Sequence, residues 1–131
     1  MLESVRTLAD LLARDGVTVE DLVTRLGGES DDTGANVRVH PTGLPGIVRA
    51  DVVRMRPGVD VPAHVELELE EPEPVQPLEA VLGQPARVHP DHRGQPVQLV
   101  YPIPLVDGSR QVKLIAEEAD GGPRTLVLRR D

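Results

Sequence analysis

Val61-Pro62-Ala63-His64-Val65-Glu66-Leu67-Glu68-Leu69-Glu70 is the stretch whose reading decides the fold class. Ala63, Val65, Leu67 and Leu69 alternate with His64, Glu66, Glu68 and Glu70, so an extended chain puts one apolar face on a core and one charged face in water. Just upstream, Arg56-Pro57-Gly58-Val59-Asp60 has turn chemistry, which makes the preceding run at 47–55 a second strand and 36–40 a third. Downstream, Glu70-Glu71-Pro72-Glu73-Pro74-Val75-Gln76-Pro77 combines charge with prolines and reads as an extended connector. Leu78, Val81 and Leu82 then share a helical face that stops at Gly83-Gln84-Pro85. Strands are expected again at 86–88, 96–106, 110–117 and 124–130, with hairpin turns at Asp107-Gly108-Ser109 and Asp120-Gly121-Gly122. Pro102 and Pro104 lack an N–H, which places part of the 96–106 strand at an edge or a bulge.

The N-terminal third has a different period. Leu2, Val5, Leu8, Ala9, Leu11 and Leu12 recur at helical spacing over residues 2–14, with Gly16 as the stop. Thr18 is an N-cap ahead of the acidic first turn Glu20-Asp21, and Val19, Leu22, Val23 and Leu26 form the stripe of a second helix that ends at Gly27-Gly28. Glu29-Ser30-Asp31-Asp32-Thr33-Gly34 reads as a solvated loop. The expectation is an α+β fold, with an N-terminal helical hairpin packed on a mostly antiparallel β-sheet of about six strands. Residues 1–131 form one small domain on this reading, with degenerate helix-plus-meander sub-repeats at 1–71 and 78–131 about the Pro/Glu-rich connector 70–77. The repeat rests on two echoes: Leu26-Gly27 with Leu82-Gly83, and Arg38-Val39-His40-Pro41 with Arg87-Val88-His89-Pro90.

Composition narrows function more than it defines it. Hydrophobic residues make up 39% of the 131, enough for a packed core, yet Tyr101 is the only aromatic residue, so stacking platforms for bases or sugars have no material. A net charge of -8 and a pI near 4.9 set the molecular field against phosphate backbones and anionic membranes and in favour of basic partners. The absence of cysteine removes disulfides, thiol catalysis and Cys-ligated zinc, and fits the cytoplasm. No apolar run is long enough to span a membrane, and Met1-Leu2-Glu3-Ser4 has no export-signal character.

No phosphate loop, dinucleotide fingerprint, nucleophile elbow or His-Glu-x-x-His pattern occurs, and Ser4, Ser30 and Ser109 lie near the terminus or in turns. No catalytic, cofactor-binding or metal-binding residue is therefore assigned, and no cofactor is expected. His89-Pro90-Asp91-His92 is the densest cluster of metal-competent groups, with His40 and His64 the remaining histidines; a polar turn between strands accounts for it without a metal. The acidic face of Glu66, Glu68 and Glu70, with Glu71 beyond it, is the docking surface of choice for a basic protein, and Arg49 or Arg54 is placed to pair with one of these carboxylates across strands. Tyr101 is either a core filler or the aromatic anchor of an interface.

Residues 16–27 (GVTVEDLVTRLG) and 78–85 (LEAVLGQP) resemble the short-helix-plus-Leu-Gly signature of the β-lactamase-inhibitor-protein-like fold, with 97–115 supplying its hairpin. The resemblance implies a helical pair against an antiparallel sheet and a protein-binding role on the sheet face and loops. The chain departs from that group in lacking its cysteines and export signal. Leu8 to Gly27 also resembles the first two helices of a lambda-repressor-like helix-turn-helix, whose DNA-reading helix would fall at 29–40. The expectation is a non-enzymatic protein-binding module of the accessory, adaptor or inhibitor kind, using the acidic strand face and a sheet edge through which it could also form a homodimer. The alternatives are a small-ligand or metal-binding enzyme using the His89–His92 turn, and a helix-turn-helix-related regulator.

Overall fold

Two helices lead into an eight-stranded sheet in a computed structural model that describes residues 2–71, 82, 85–88, 97–103, 111–117 and 123–130. Helix α1 (Leu2–Leu12) buries Val5, Leu8, Ala9 and Leu12, the residues its period selects. Gly16, at φ 76, makes the left-handed turn out of it. Helix α2 (Val19–Leu26) starts with a full capping box: Thr18 Oγ1 accepts the Asp21 N–H at 3.0 Å, and Asp21 Oδ2 accepts the Thr18 N–H at 3.0 Å. Its stripe of Val19, Leu22 and Leu26 is buried.

The strands are β1 (Ser30–Asp32), β2 (Asn36–Val39), β3 (Ile47–Arg54), β4 (Pro62–Leu69), β5 (Ala86–Val88), β6 (Gln98–Pro102), β7 (Val112–Glu117) and β8 (Thr125–Arg130). All pairings are antiparallel, in the order β1-β2-β3-β4-β8-β7-β6-β5. Each half is a four-stranded meander, and the two meet where β4 pairs with β8, from His64↔Arg129 to Glu68↔Thr125. The fold is α+β, with an N-terminal helical pair and an antiparallel sheet.

Alternation settles which face is inner. Val37, Val39, Ala50, Val52, Val65, Leu67, Leu69, Leu99, Leu114, Leu126 and Leu128 point to one side and join the buried helix residues in one core. The opposite side is the outer face.

Three expectations need correction or placement. Glu29–Gly34 is not wholly loop: Ser30–Asp32 is the edge strand β1, paired with β2 from Ser30↔Val39 to Asp32↔Val37. Residues 29–40 thus form paired strands where a DNA-reading helix would have to lie, so no helix-turn-helix is made. Strand β6 is interior, but Pro102 extends past its last pairing with β5, Ala86↔Val100. The Ile103 N–H donates to Val112 O at 3.1 Å, which directs the Pro102 nitrogen away from β7, where it owes no ladder bond.

The Arg-Val-His-Pro echo falls on β2 in one meander and on β5 in the other, and it faces opposite ways. Val39 is opposite Ala50 on the inner face, whereas Val88 is opposite Gln98 on the outer face. Leu82 is helical and packs against the core, while the rest of the expected 78–82 helix, most of the 70–77 connector and the turns at 107–109 and 120–122 lie outside the described residues.

Candidate functional site

The outer face of the first meander gathers the charged residues. Register puts Asp31, Arg38, Asp51 and Glu66 side by side across β1 to β4, with Arg49 and Glu68 in the neighbouring row. The same row runs on through Val127, Ile115, Val100 and Ala86 in the second meander, where it is flanked on the same face by Lys113 and Arg129 on one side and by Thr125, Glu117 and Gln98 on the other. No described helix or strand lies over it.

The charged half is held in place by ion pairs. Arg38 donates from Nε to Asp51 Oδ1 at 2.9 Å and from Nη2 to Asp51 Oδ2 at 3.4 Å, a fork that satisfies a carboxylate only 5% exposed. The Arg38 guanidinium is pushed above its ordinary value, chiefly by the hydrogen bond to Asp51, then by that residue's charge, with Asp31 and Glu66 adding to it. Arg49 Nη2 lies 3.0 Å from Glu68 Oε2, which is the cross-strand pair the alternation anticipated. His64 Nε2 is 3.4 Å from Glu66 Oε1.

Arg54, the other cationic candidate, goes elsewhere. It reaches the sheet edge and clamps Asp32, Nη1 to Oδ1 at 2.7 Å and Nη2 to Oδ2 at 2.8 Å, and also donates to Gly34 O at 3.2 Å. Held first by that guanidinium and then by the Gly34 N–H, the Asp32 carboxyl is lowered to about 2.

The candidates singled out by sequence are thus partly brought together. Glu66 and Glu68 sit on one face, and Glu70, exposed, follows the end of β4 with its N–H donating to Gly46 O. Tyr101 is opposite Leu114 on the inner face and is 0% exposed. Of the two roles open to it, it takes the core one, and its side chain has no surface to offer a partner. His89, Asp91 and His92 lie outside the described residues, and among those described no group of three or more His, Asp or Glu converges as a metal site. His40 is exposed, with Nδ1 3.3 Å from Val48 O. Sequence reasoning missed the Arg38–Asp51 fork, because only the β2–β3 register brings those residues together.

A depression of about 540 Å³ between the end of α1 and α2 mixes Arg14 and Arg25 with Asp15, Glu20 and Asp21, and offers no convergent acid, base or nucleophile. The β3–β4 turn leaves Met55, Val59 and Val61 exposed. No described helix is long and apolar enough to cross a membrane.

The fold is a two-helix α+β arrangement with an eight-stranded antiparallel sheet, whose outer face no described helix or strand covers. No family model, curated protein or solved structure matches the chain.

Proposed function

We propose that this chain is a non-enzymatic protein-binding module of the accessory, adaptor or inhibitor kind, which holds a basic partner on the outer face of its sheet. The observation that carries this reading is the outer face of β1 to β4, which no described helix or strand covers and where Asp31, Asp51, Glu66, Glu68 and Glu70 outnumber Arg38 and Arg49. A rigid antiparallel ladder fixes the spacing of these carboxylates. Arginines occupy Asp51 and Glu68 and His64 stands beside Glu66, so Asp31, Glu70 and the more exposed Glu66 are the carboxylates offered to a partner's cations. The adjoining apolar row of Val127, Ile115 and Val100 extends the contact surface beyond charge. Residues of this kind flank interface cores, where polar rims surround apolar centres.

The test is capture of partners by the tagged chain, compared with the variant Glu66→Lys/Glu70→Lys. A partner held by this face is retained at low salt, released at high salt and lost with the double reversal. Retention of the same partner by the reversed variant overturns the reading.

A further inference from the structure

We infer that the free edge of β1 accepts an extended basic segment of the partner as a ninth strand. The inference rests on the proposed binding role and specifies how the partner is gripped.

The ladder leaves this edge open. His40 N–H donates to Glu29 O at 3.1 Å and Thr33 N–H to Asn36 O at 2.9 Å, so residues 29, 31 and 33 occupy the hydrogen-bonded positions towards β2. Ser30 and Asp32, in between, direct their backbone N–H and C=O groups away from β2. No described element pairs with them, and Ser30, Asp31 and Asp32 are all exposed. An edge with donors and acceptors two residues apart is the template used in strand addition.

The side chains decide which strand fits. Asp31 stands on the outer face beside Arg38, while Ser30 and Asp32 face the inner side, where a groove of about 310 Å³ opens between α2, β1 and the β3–β4 turn. Val19, Val23 and Val37 line the groove with Arg54, whose guanidinium occupies Asp32, and Glu20 and Asp60 lie on its other side. A lysine or arginine entering there can lay its methylene stem on the valines and leave its cation beside Glu20 and Asp60, Asp32 being held by Arg54. The next residue of the added strand points the other way, towards Asp31. A second copy of the chain is the wrong occupant, because edge-to-edge pairing brings Asp31 and Asp32 of each copy against the other.

The Arg54–Asp32 clamp makes the template rigid before binding. It ties the last residue of β1 to β3, and Gly58 N–H donates to Gly34 O at 3.0 Å behind it. An incoming strand therefore does not have to order the edge it joins.

The probe is a panel of capped hexapeptides alternating Arg with Val or Thr, offered to the full chain. Controls carry Glu in place of Arg, or N-methyl groups on two consecutive central amides, which blocks both of their edges. The expected result is binding of arginine peptides below about 1 mM, with slowed amide exchange at Ser30 and Asp32 and no binding of the glutamate peptides. N-methylation weakens binding at least about tenfold, and so does Ser30→Pro, which deletes an edge N–H that the β1–β2 ladder does not use. The peptide controls keep the test valid should Ser30→Pro fail to fold. Failure of every arginine peptide to protect Ser30 and Asp32, or indifference to N-methylation, overturns the inference. With the natural partner, loss in Glu66→Lys/Glu70→Lys but retention in a folded Ser30→Pro overturns the edge and keeps the outer face. The reverse pattern overturns the outer face and keeps the edge.

Discussion

Asp32 is the residue at which local chemistry determines an element. Its carboxylate receives both Nη groups of Arg54 and the N–H of Gly34, and these bonds favour the ionised form. Because its folded pKa, about 2, lies below the ordinary 3.8, the stabilisation is fully present above the higher value and is lost as pH falls through the lower one. Asp32→Asn is therefore expected to lower the urea midpoint at neutral pH, and the gap from the parent chain should close between pH 4 and pH 2. Urea titrations of both proteins across that range check it; a gap independent of pH would mean that the clamp is not ionic.

At the scale of elements, the parts written in apolar periodicity were legible and the parts written in register were not. The alternation of 61–70 gives β4 within a residue at each end, and Thr18 with Gly27 bounds α2, because each signal lies within a few residues of sequence. Strand β1 has no such signal. Ser30-Asp31-Asp32 is polar at every position, and it is extended because β2 pairs with it and Arg54 reaches it from β3. The candidate site divides the same way: Glu66 and Glu68 could be placed on one face from alternation alone, whereas the fork between Arg38 and Asp51 depends on a pairing across the β2–β3 connection.

That connection also explains the doublet Gly27-Gly28. Gly43 N–H donates to Leu26 O at 2.7 Å, docking the end of α2 on the 41–43 turn. Gly28, at φ 85, lies so close that an added Cβ would be 1.9 Å from Pro41 O. Gly16 has a similar φ, 76, with open space around it. Gly16→Ala should cost about 1 kcal/mol from the left-handed conformation alone, and Gly28→Ala distinctly more, since backbone must move. Urea unfolding of the two variants measures the difference, and equal losses would remove the close approach as the cause.

For the whole molecule, the question is whether two meanders behave as one. They share the β4–β8 ladder, and a single buried cluster runs from Val5 in α1 to Leu128 in β8. Such continuity predicts one cooperative transition, because neither half can open without exposing the other's apolar face. Two probes sit in different places. Tyr101 is the only aromatic residue, so intrinsic emission reports β6 in the second meander, whereas far-ultraviolet dichroism is weighted towards α1 and α2. Leu8, fully buried in α1, is distant in sequence from the tyrosine, and Leu8→Ala leaves a cavity worth about 2–5 kcal/mol. With a urea slope of about 2 kcal/mol per molar, the midpoint should fall by about 1–2.5 M, and both probes should move together. A dichroism midpoint that shifts while tyrosine emission stays in place would divide the chain into separate folding units. The outer face and the β1 edge would then belong to the first meander alone, and a partner bound there would protect that half without stabilising the other.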